Sequence, residues 1–372
     1  MDTIKKLLIL IFLSKKIFKK PLSKDILIVN KDLSNFPIAY FKNTTECVDT
    51  RFHMRPNQDL NLYVLIKCII KFKFSFFSYI CEYIRCVNPK ILLTLIDNDL
   101  LFYKLKKIFP DIQTIMIQNA TRTLQDTDIL SNIKKLKTLS LKVDYYFCFN
   151  EKIGSIFRSF LDCKVVPIGS FRSNFSRIKK SKKIYDFLFI SSFRAHETIR
   201  KEEWIFFRNL EKYLISKKKK LYILGSTIKI SDEVAYYKKM LRKIKFVIIE
   251  RNNKRKTYDI LDKSKIIINT ESTAGYEALS RSNKVAFFNI RGNRIPFNSI
   301  NFGWPYSFKK KGIFWTNKNN YKELKRVMDY LNNVSYQKFI TKSKTIREIV
   351  MKSDPGNKIV RSYIPKLIDQ KS

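Results

Sequence analysis

The chain has 372 residues, and its 74 Lys and Arg against 32 Asp and Glu give a formal net charge of +42. Hydrophobic residues make up 45% of the sequence and aromatic residues 14%, which is too much apolar material for a disordered basic tail. The 8 glycines and 10 prolines exclude a collagen-like or linker protein. Because the chain is longer than one hydrophobic core usually fills, we expect two domains.

The positive charge has two interpretations. It predicts a polyanionic partner, either nucleic acid or an anionic membrane surface. It also fits a bias in base composition, because Lys outnumbers Arg and accompanies abundant Ile, Asn, Phe and Tyr. The basic residues are spread through every predicted helix, which disfavours nucleic acid as the partner. We favour the compositional interpretation, which is compatible with attraction to anionic lipid.

The sequence predicts a reduced, cytoplasmic protein that requires no cofactor and has no zinc cluster, although the spacing in Asp97-Asn98-Asp99 would allow Mg²⁺ to bind. Its six cysteines form no Cys-x-x-Cys pair, and the only histidines are His53 and His196. The apolar run 7–13 is too short to span a bilayer. We expect residues 1–24 to form a basic segment at the inner face of the plasma membrane. The stretch 60–84 is either a second amphipathic helix of that kind or a helix packed on a sheet.

Short apolar runs alternate with helical patterns from residue 25 onward. In the first half, strands are predicted over 25–30, 37–41, 90–96, 112–117, 145–149 and 164–168, with helices over 59–86, 100–109 and 150–160. After a polar, basic stretch, strands are predicted over 185–190, 220–224, 246–249, 264–269 and 285–289. The chain closes with helical patterns over 321–331 and 334–367. Strands that alternate with helices predict parallel sheets.

These elements predict an α/β protein with two doubly wound, Rossmann-like domains that face a cleft, followed by basic C-terminal helices. We place the N-terminal domain at 25–175, the C-terminal domain at 184–345 and a helical tail at 346–372. Ligands of open α/β sheets bind outside the carboxyl ends of the strands. The turns that follow the strands are therefore the candidate site.

The most informative turn follows the predicted strand 264–269. Hydroxyl-bearing residues lead there into a helix that opens near Gly275, so backbone N–H groups and the helix dipole would attract a diphosphate. Gly275 would let the backbone approach a ligand closely. Glu277 would accept hydrogen bonds from ribose hydroxyls. The alternative interpretation is an ordinary capped helix.

This turn also carries a resemblance to a known family. Residues 269–279, Asn-Thr-Glu-Ser-Thr-Ala-Gly-Tyr-Glu-Ala-Leu, with 284–288, Lys-Val-Ala-Phe-Phe, resemble the donor-binding segment of GT-B glycosyltransferase-like enzymes. The segments 93–98, 117–122 and 168–174 resemble bacterial capsule and O-antigen-type surface-carbohydrate biosynthesis proteins. The sequence is more remotely similar to the CDP-glycerol glycerophosphotransferases of teichoic acid synthesis. Ala120 stands where the family's Gln-Asn-Gly turn has glycine.

The resemblance implies an enzyme of surface polysaccharide synthesis. It would transfer a sugar or sugar-alcohol phosphate from a nucleotide-activated donor, held by the C-terminal domain, to a glycan or lipid-linked acceptor, held by the N-terminal domain. Asp97 or Asp99 would be the base for the acceptor hydroxyl, with helix capping as the alternative for both. Arg194 would neutralise the leaving phosphate, and His196 would act as an acid or a phosphate contact.

The other candidates follow from their positions after strands. On the donor side they are Ser191, Ser192, Arg194, Gly225, Ser226, Glu271, Ser272, Thr273, Gly275 and Glu277. On the acceptor side they are Asn98, Gln118, Asn119, Arg122, Gly169 and Ser170. Two alternative functions stay open: a non-catalytic scaffold of the same fold, and a nucleic-acid-binding protein.

Overall fold

A computed structural model describes residues 14–30, 35–48, 59–125, 128–178, 182–193, 201–226, 230–251, 254–290 and 298–370. The chain divides into two compact units. Unit 1 contains Met1–Asn119, Ile133–Arg172 and Asn357–Ser372, and unit 2 contains Ala120–Asn132 and Ser173–Gly356. The short segment 120–132 thus belongs to unit 2 although unit 1 residues flank it in sequence, and the C-terminal segment 357–372 belongs to unit 1 although it follows unit 2.

Parallel strands form the centre of each unit. The strands of the described residues are β1 (Lys15–Ile17), β2 (Ile26–Val29), β3 (Thr45–Val48), β4 (Asp59–Asn61), β5 (Ile91–Thr94), β6 (Gln113–Ile117), β7 (Leu141–Cys148), β8 (Leu161–Pro167), β9 (Tyr185–Ile190), β10 (Leu221–Leu224), β11 (Phe246–Ile249), β12 (Ser264–Asn269), β13 (Val285–Phe288) and β14 (Trp315–Thr316). The sheet of unit 1 has the order β3-β2-β5-β6-β7-β8, and the sheet of unit 2 has the order β11-β10-β9-β12-β13-β14. β1 pairs with β4 in a separate two-stranded ladder.

Helices connect these strands. Within the described residues they are α1 (Asn35–Phe41), α2 (Leu62–Ile70), α3 (Phe76–Val87), α4 (Leu100–Ile108), α5 (Ile133–Lys137), α6 (Glu151–Arg158), α7 (Phe171–Phe175), α8 (Lys201–Ser216), α9 (Ile230–Met240), α10 (Lys254–Asp262), α11 (Thr273–Ser280), α12 (Tyr321–Asn333), α13 (Tyr336–Val350) and α14 (Lys358–Asp369). Short 3₁₀ turns occupy Lys42–Thr44, Ile129–Asn132 and Asn298–Ile300.

The central strands are apolar because they are covered on both faces. All four residues of β2 are fully buried, and so are Ile266, Ile267 and Ile268 of β12. A parallel sheet with crossover helices on both sides requires such continuous apolar runs. The prediction of an α/β protein with two Rossmann-like parallel sheets is therefore confirmed.

Two predicted elements of unit 1 are wrong. Residues 37–41, predicted as a strand, lie in α1. Pro37 is tolerated there because it lies in the first turn, where backbone N–H groups have no partner within the helix. Thr45–Val48 forms the strand beside β2 instead. The predicted helix 59–86 is interrupted between α2 and α3, where Phe72 has a φ of +52°.

The cysteines are all free thiols, and four of the six are buried. No helix of the described residues has the length and apolar character that crossing a membrane requires. The described residues also contain no group of three His, Cys, Asp or Glu side chains that could hold a metal ion.

Candidate functional site

The strand order of unit 2 reverses at its centre. β9 pairs with β10 on one side and with β12 on the other. From β9 the chain adds β10 and β11 toward one edge of the sheet, and then β12, β13 and β14 toward the other edge. In open α/β sheets, loops diverge at such a switch point and leave a crevice at the carboxyl ends of the strands. Ser191 follows β9 there, and Thr270 follows β12.

The turn after β12 is organised by side chains. Ser272 is the N-cap of α11, and its hydroxyl accepts a hydrogen bond from the backbone N–H of Ala274 at 3.3 Å. Asn269 Oδ1 accepts from the backbone N–H of Ser272 at 3.2 Å. A Cβ atom on Gly275 would lie 2.2 Å from Cγ of Asn269. The absence of a side chain at Gly275 therefore makes room for the Asn269 side chain, and the close approach of Gly275 to a ligand stays a prediction.

A cavity of about 150 Å³ lies in unit 2 beside this turn. Its lining consists of Thr121, Arg122, Thr123, Gln125, Asp128, Thr270, Glu271, Tyr276, Asn289, Ser299, Ile300, Asn301 and Trp304. The backbone N–H of Thr121 donates to Thr273 Oγ1 at 2.9 Å, and the two threonine hydroxyls are 3.0 Å apart. These bonds attach the segment 120–132 to the start of α11.

Several lining residues carry buried polar atoms that have no hydrogen-bond partner in the described structure. These atoms are Thr270 Oγ1, Asn289 Oδ1, Ser299 Oγ and Trp304 Nε1. Leaving a buried donor or acceptor without a partner costs about 1–3 kcal/mol. Folded proteins rarely retain several such atoms around one cavity unless water or a ligand bonds to them. The cavity thus has the chemistry of a polar binding site.

The cavity offers donors and acceptors together. Desolvation raises the pKa of Tyr276 to about 12, so this phenol is neutral at physiological pH. Its oxygen accepts from the backbone N–H of Gly303 at 3.0 Å, which leaves its own proton to be donated. Arg122 is 7% exposed, and its Nη1 lies 3.9 Å from Oδ2 of Asp128. Such a mixture suits a ligand with several hydroxyl or phosphate oxygens.

β9 and β10 end at a second polar group, centred on the fully buried carboxylate of Glu233. Oε1 of Glu233 accepts from the backbone N–H of Ser226 at 3.0 Å and from the Ser191 hydroxyl. Ser191 Oγ also lies 2.7 Å from the hydroxyl oxygen of Tyr237. A Cβ on Gly225 would lie 3.1 Å from Glu233 Oε2. Glu233 therefore holds Ser191 and Ser226 in place at this turn and lies close to Gly225. The contact of these three residues with a donor stays a prediction.

The two aspartates predicted as bases in unit 1 have structural partners. Asp97 is fully buried; its Oδ1 accepts from the backbone N–H of Asn119 at 3.4 Å and its Oδ2 from the Tyr146 hydroxyl at 3.3 Å. Asp99 is the N-cap of α4 and accepts from the backbone N–H of Leu101 at 3.0 Å. The hydrogen bond of Asp99 fits the capping alternative. The carboxylate of Asp97 is shielded from solvent by burial.

The other predicted acceptor residues of unit 1 also follow strands. Gln118 Oε1 accepts from the backbone N–H of Phe149 at 2.8 Å, so its side chain ties two strand ends together. Gly169 has a φ of +69°, a left-handed conformation that favours glycine. Ser170 is buried, whereas Asn98 is exposed.

The remaining predicted donor residues fall into three groups. Glu271 lines the cavity, whereas Glu277 is buried in α11 and does not line it. Ser192 is half-buried after β9. Arg194 and His196 lie outside the described residues, so their roles stay predictions.

Sequence reasoning missed Glu233 and most of the cavity lining, including Tyr276, Asn289, Ser299 and Trp304. Asn289, Ser299 and Trp304 all follow β13 in the chain, and they share no local spacing with the turn at Gly275. The one usable signal is Trp304, an aromatic donor in the turn-forming run Gly-Trp-Pro.

Comparisons with known proteins agree with this architecture. A family model described as "putative O-antigen biosynthesis protein" matches residues 115–368. No curated protein matches the sequence.

Solved structures with the same fold cover almost the whole chain. The wall teichoic acid polymerase TagF is 12% identical, with a TM-score of 0.58 over 100% of this chain and 94% of that one. The S. aureus MnaA–UDP structure is 13% identical, with a TM-score of 0.55 over 93% and 97%. The UDP-GlcNAc 2-epimerase from Neisseria meningitidis, bound to UDP-GlcNAc, is 12% identical, with a TM-score of 0.53 over 92% and 99%. At these identities the likeness shows the GT-B-like fold.

Proposed function

The chain belongs to the O-antigen biosynthesis protein family, and from this premise we propose that it is a transferase of surface polysaccharide synthesis. Its donor is a nucleotide-activated sugar or sugar-alcohol phosphate, and its acceptor is a glycan or a lipid-linked glycan. Unit 2 binds the donor.

The observation that carries this proposal is the set of buried polar atoms without partners around the unit 2 cavity. Thr270 Oγ1, Asn289 Oδ1, Ser299 Oγ and Trp304 Nε1 supply both acceptors and donors, as a polyhydroxylated ligand requires. The cavity lies beside the capped N-terminus of α11, where a phosphate is favoured. Two solved structures of this fold hold UDP or UDP-GlcNAc, which is consistent with a nucleotide donor.

In the proposed reaction, the acceptor hydroxyl attacks the donor in line with the bond to the leaving phosphate. A new bond to the acceptor oxygen forms as the donor bond breaks, and the electron pair leaves with the nucleotide. The N-terminus of α11 and Arg194 stabilise that charge. A base takes the acceptor proton, and its candidates are Asp97, Asp99 and His196; Asp97 and Asp99 also accept structural hydrogen bonds.

A nucleotide screen followed by a product assay tests this function. The thermal midpoint Tm is measured with CMP, CDP, UDP and GDP, since a ligand that binds only the folded protein raises it. Donors of the class that binds are then incubated with and without a membrane extract that contains acceptors. A transferase releases the nucleotide only with acceptor present. An isomerised donor with no nucleotide released would instead assign epimerase activity.

Variants test the residues proposed to hold the donor. Arg194→Ala is expected to weaken nucleotide binding, whereas Arg242→Ala, at an exposed position between α9 and β11, is the matched control. Glu277 is buried in α11 and does not line the cavity, so Glu277→Ala tests the ribose contact predicted from the sequence. If neither Arg194→Ala nor Glu277→Ala changes binding while the cavity variant Thr270→Val with Ser299→Ala weakens it, the phosphate and ribose assignments are wrong but the cavity assignment stands.

A further inference from the structure

The hairpin of α2 and α3 carries the most exposed apolar segment of the described structure. Residues 69–76 read Ile-Ile-Lys-Phe-Lys-Phe-Ser-Phe, and all eight are exposed. Ile70 is 70%, Phe72 is 84% and Phe74 is 75% exposed, while Ile66 and Ile69 extend the apolar surface along α2. We call residues 66–76 the hairpin tip. A soluble protein rarely presents grouped apolar side chains without a partner for them.

The geometry of the hairpin tip holds these side chains outward. Asn61 caps α2, accepting from the backbone N–H of Val64, and Ser75 caps α3, accepting from that of Ser78. Between the helices, the backbone N–H of Phe72 donates to Ile69 O at 2.9 Å. The apolar residues are therefore presented on a hydrogen-bonded turn.

The charge around the hairpin tip has one sign. No acidic residue occurs from Leu60 to Cys81, whereas Lys67, Lys71 and Lys73 alternate with the apolar residues. The carboxylates that flank this stretch are Asp59, in β4, and Glu82, which is buried and paired with Lys71 at 2.8 Å. β1, which contains further lysines, pairs with β4 directly before α2.

We propose that the hairpin tip docks the protein on an anionic lipid bilayer. The phenylalanines and isoleucines enter the boundary between headgroups and acyl chains, and the lysines contact the anionic headgroups. The alternation of phenylalanines and lysines matches the two regions of the bilayer, because the acyl-chain region is apolar and the headgroup region is negatively charged. The inference does not depend on the proposed reaction.

Vesicle binding by the full chain tests this surface. The protein is sedimented with vesicles of phosphatidylcholine alone and of phosphatidylcholine mixed with phosphatidylglycerol. Wild type is expected to bind the mixed vesicles. Phe72→Ser with Phe74→Ser is expected to lower the partition coefficient about tenfold or more, because two side chains that would enter the lipid are lost. Ile215→Ser with Val247→Ser, which removes exposed apolar residues from unit 2, is the matched control and keeps wild-type binding.

A second pair of variants separates local from overall charge. Lys73→Glu is expected to weaken binding to the mixed vesicles, while Lys344→Glu, with the same change of net charge on α13, leaves it unchanged. Equal binding by all variants would mean that the net charge alone attracts lipid and would overturn the proposal, as would absent wild-type binding. Loss of a dimer in light scattering with the phenylalanine variant would assign the tip to a second copy. A marked fall in its Tm would show that the tip packs on the chain itself.

Discussion

At the scale of single residues, the clearest feature of unit 2 is a hydroxyl that has no partner in the described structure. Thr270 Oγ1 is buried at the end of β12, whereas Thr114 Oγ1 in β6 donates to Asp144 Oδ2 and accepts from the Asp144 backbone N–H, both at 2.9 Å. The two buried threonines thus differ in what their hydroxyls do. We propose that the hydroxyl of Thr270 serves ligand binding and that the hydroxyl of Thr114 serves the fold.

Replacing each threonine with valine is expected to change the free energy of unfolding in opposite ways. Thr270→Val should leave stability unchanged or raise it by up to about 1–2 kcal/mol, because it removes an unpaired polar atom. Thr114→Val should lower stability by about 1–3 kcal/mol, because it leaves Asp144 without its hydroxyl partner. Urea denaturation of both variants checks this. A loss at Thr270 as large as that at Thr114 would show that its hydroxyl has a structural role.

The sequence predicted where the turn after β12 lies, but not which side chains contact each other around it. The turn at Ser272 and Gly275 could be located because capping and glycine follow local rules. The role of Gly275 could not, since its close neighbour is the Asn269 side chain. Glu233 lies in a helix with no distinctive pattern, and only the fold brings it to Ser191.

At the scale of elements, Glu233 connects α9 to the ends of β9 and β10. Its carboxylate accepts from the backbone N–H and the hydroxyl of Ser226 and from the hydroxyl of Ser191. Glutamine at position 233 would replace one accepting oxygen with an NH₂ group, and that group cannot accept the hydrogen bonds that Ser191 and Ser226 donate.

Glu233→Gln is therefore expected to lower the free energy of unfolding by about 1–3 kcal/mol. Glu348→Gln, at an exposed position of α13, should change it by less than about 0.5 kcal/mol. Chemical denaturation of both variants measures the difference. Equal stability of Glu233→Gln and wild type would show that the carboxylate does not hold the turn.

The boundaries of strands and helices could be predicted where a local sequence pattern determines them. β9, β11 and β12 were predicted at their observed bounds, because each is an apolar run between polar ends. This holds for the largely buried β9 and β12 and also for the edge strand β11, whose Val247 is exposed. Residues 37–41 contain the same kind of apolar run, yet they form α1, since a short run does not distinguish a strand from a helix. The interruption after α2 was missed because Phe and Lys alternate through it without Gly or Pro.

At the scale of the whole molecule, the net charge of +42 opposes folding through repulsion among like charges. Many of the described ion pairs lie at the surface, where each contributes about 0–1 kcal/mol. Repulsion should therefore outweigh attraction at low ionic strength.

The Tm is expected to rise as NaCl is increased from about 0.01 M to about 0.15 M, since the Debye length falls from about 30 Å to about 8 Å. Differential scanning fluorimetry measures the change, and sucrose additions of matched osmolality serve as the uncharged control. A Tm that falls with salt would mean that ion pairs contribute more than the repulsion does.

If the unit 2 cavity binds a nucleotide-activated donor, a nucleotide should stabilise the protein less when hydroxyls that line the cavity are removed. The Tm increase caused by the nucleotide that binds wild type is compared with the increase in the double variant Thr270→Val with Ser299→Ala. Both changes remove hydroxyls that have no partner in the described structure, so the unliganded variant should be at least as stable as wild type. We predict a clearly smaller ligand-induced increase in the variant. An increase equal to that of wild type, or no increase in wild type with any of the four nucleotides, would contradict donor binding in this cavity.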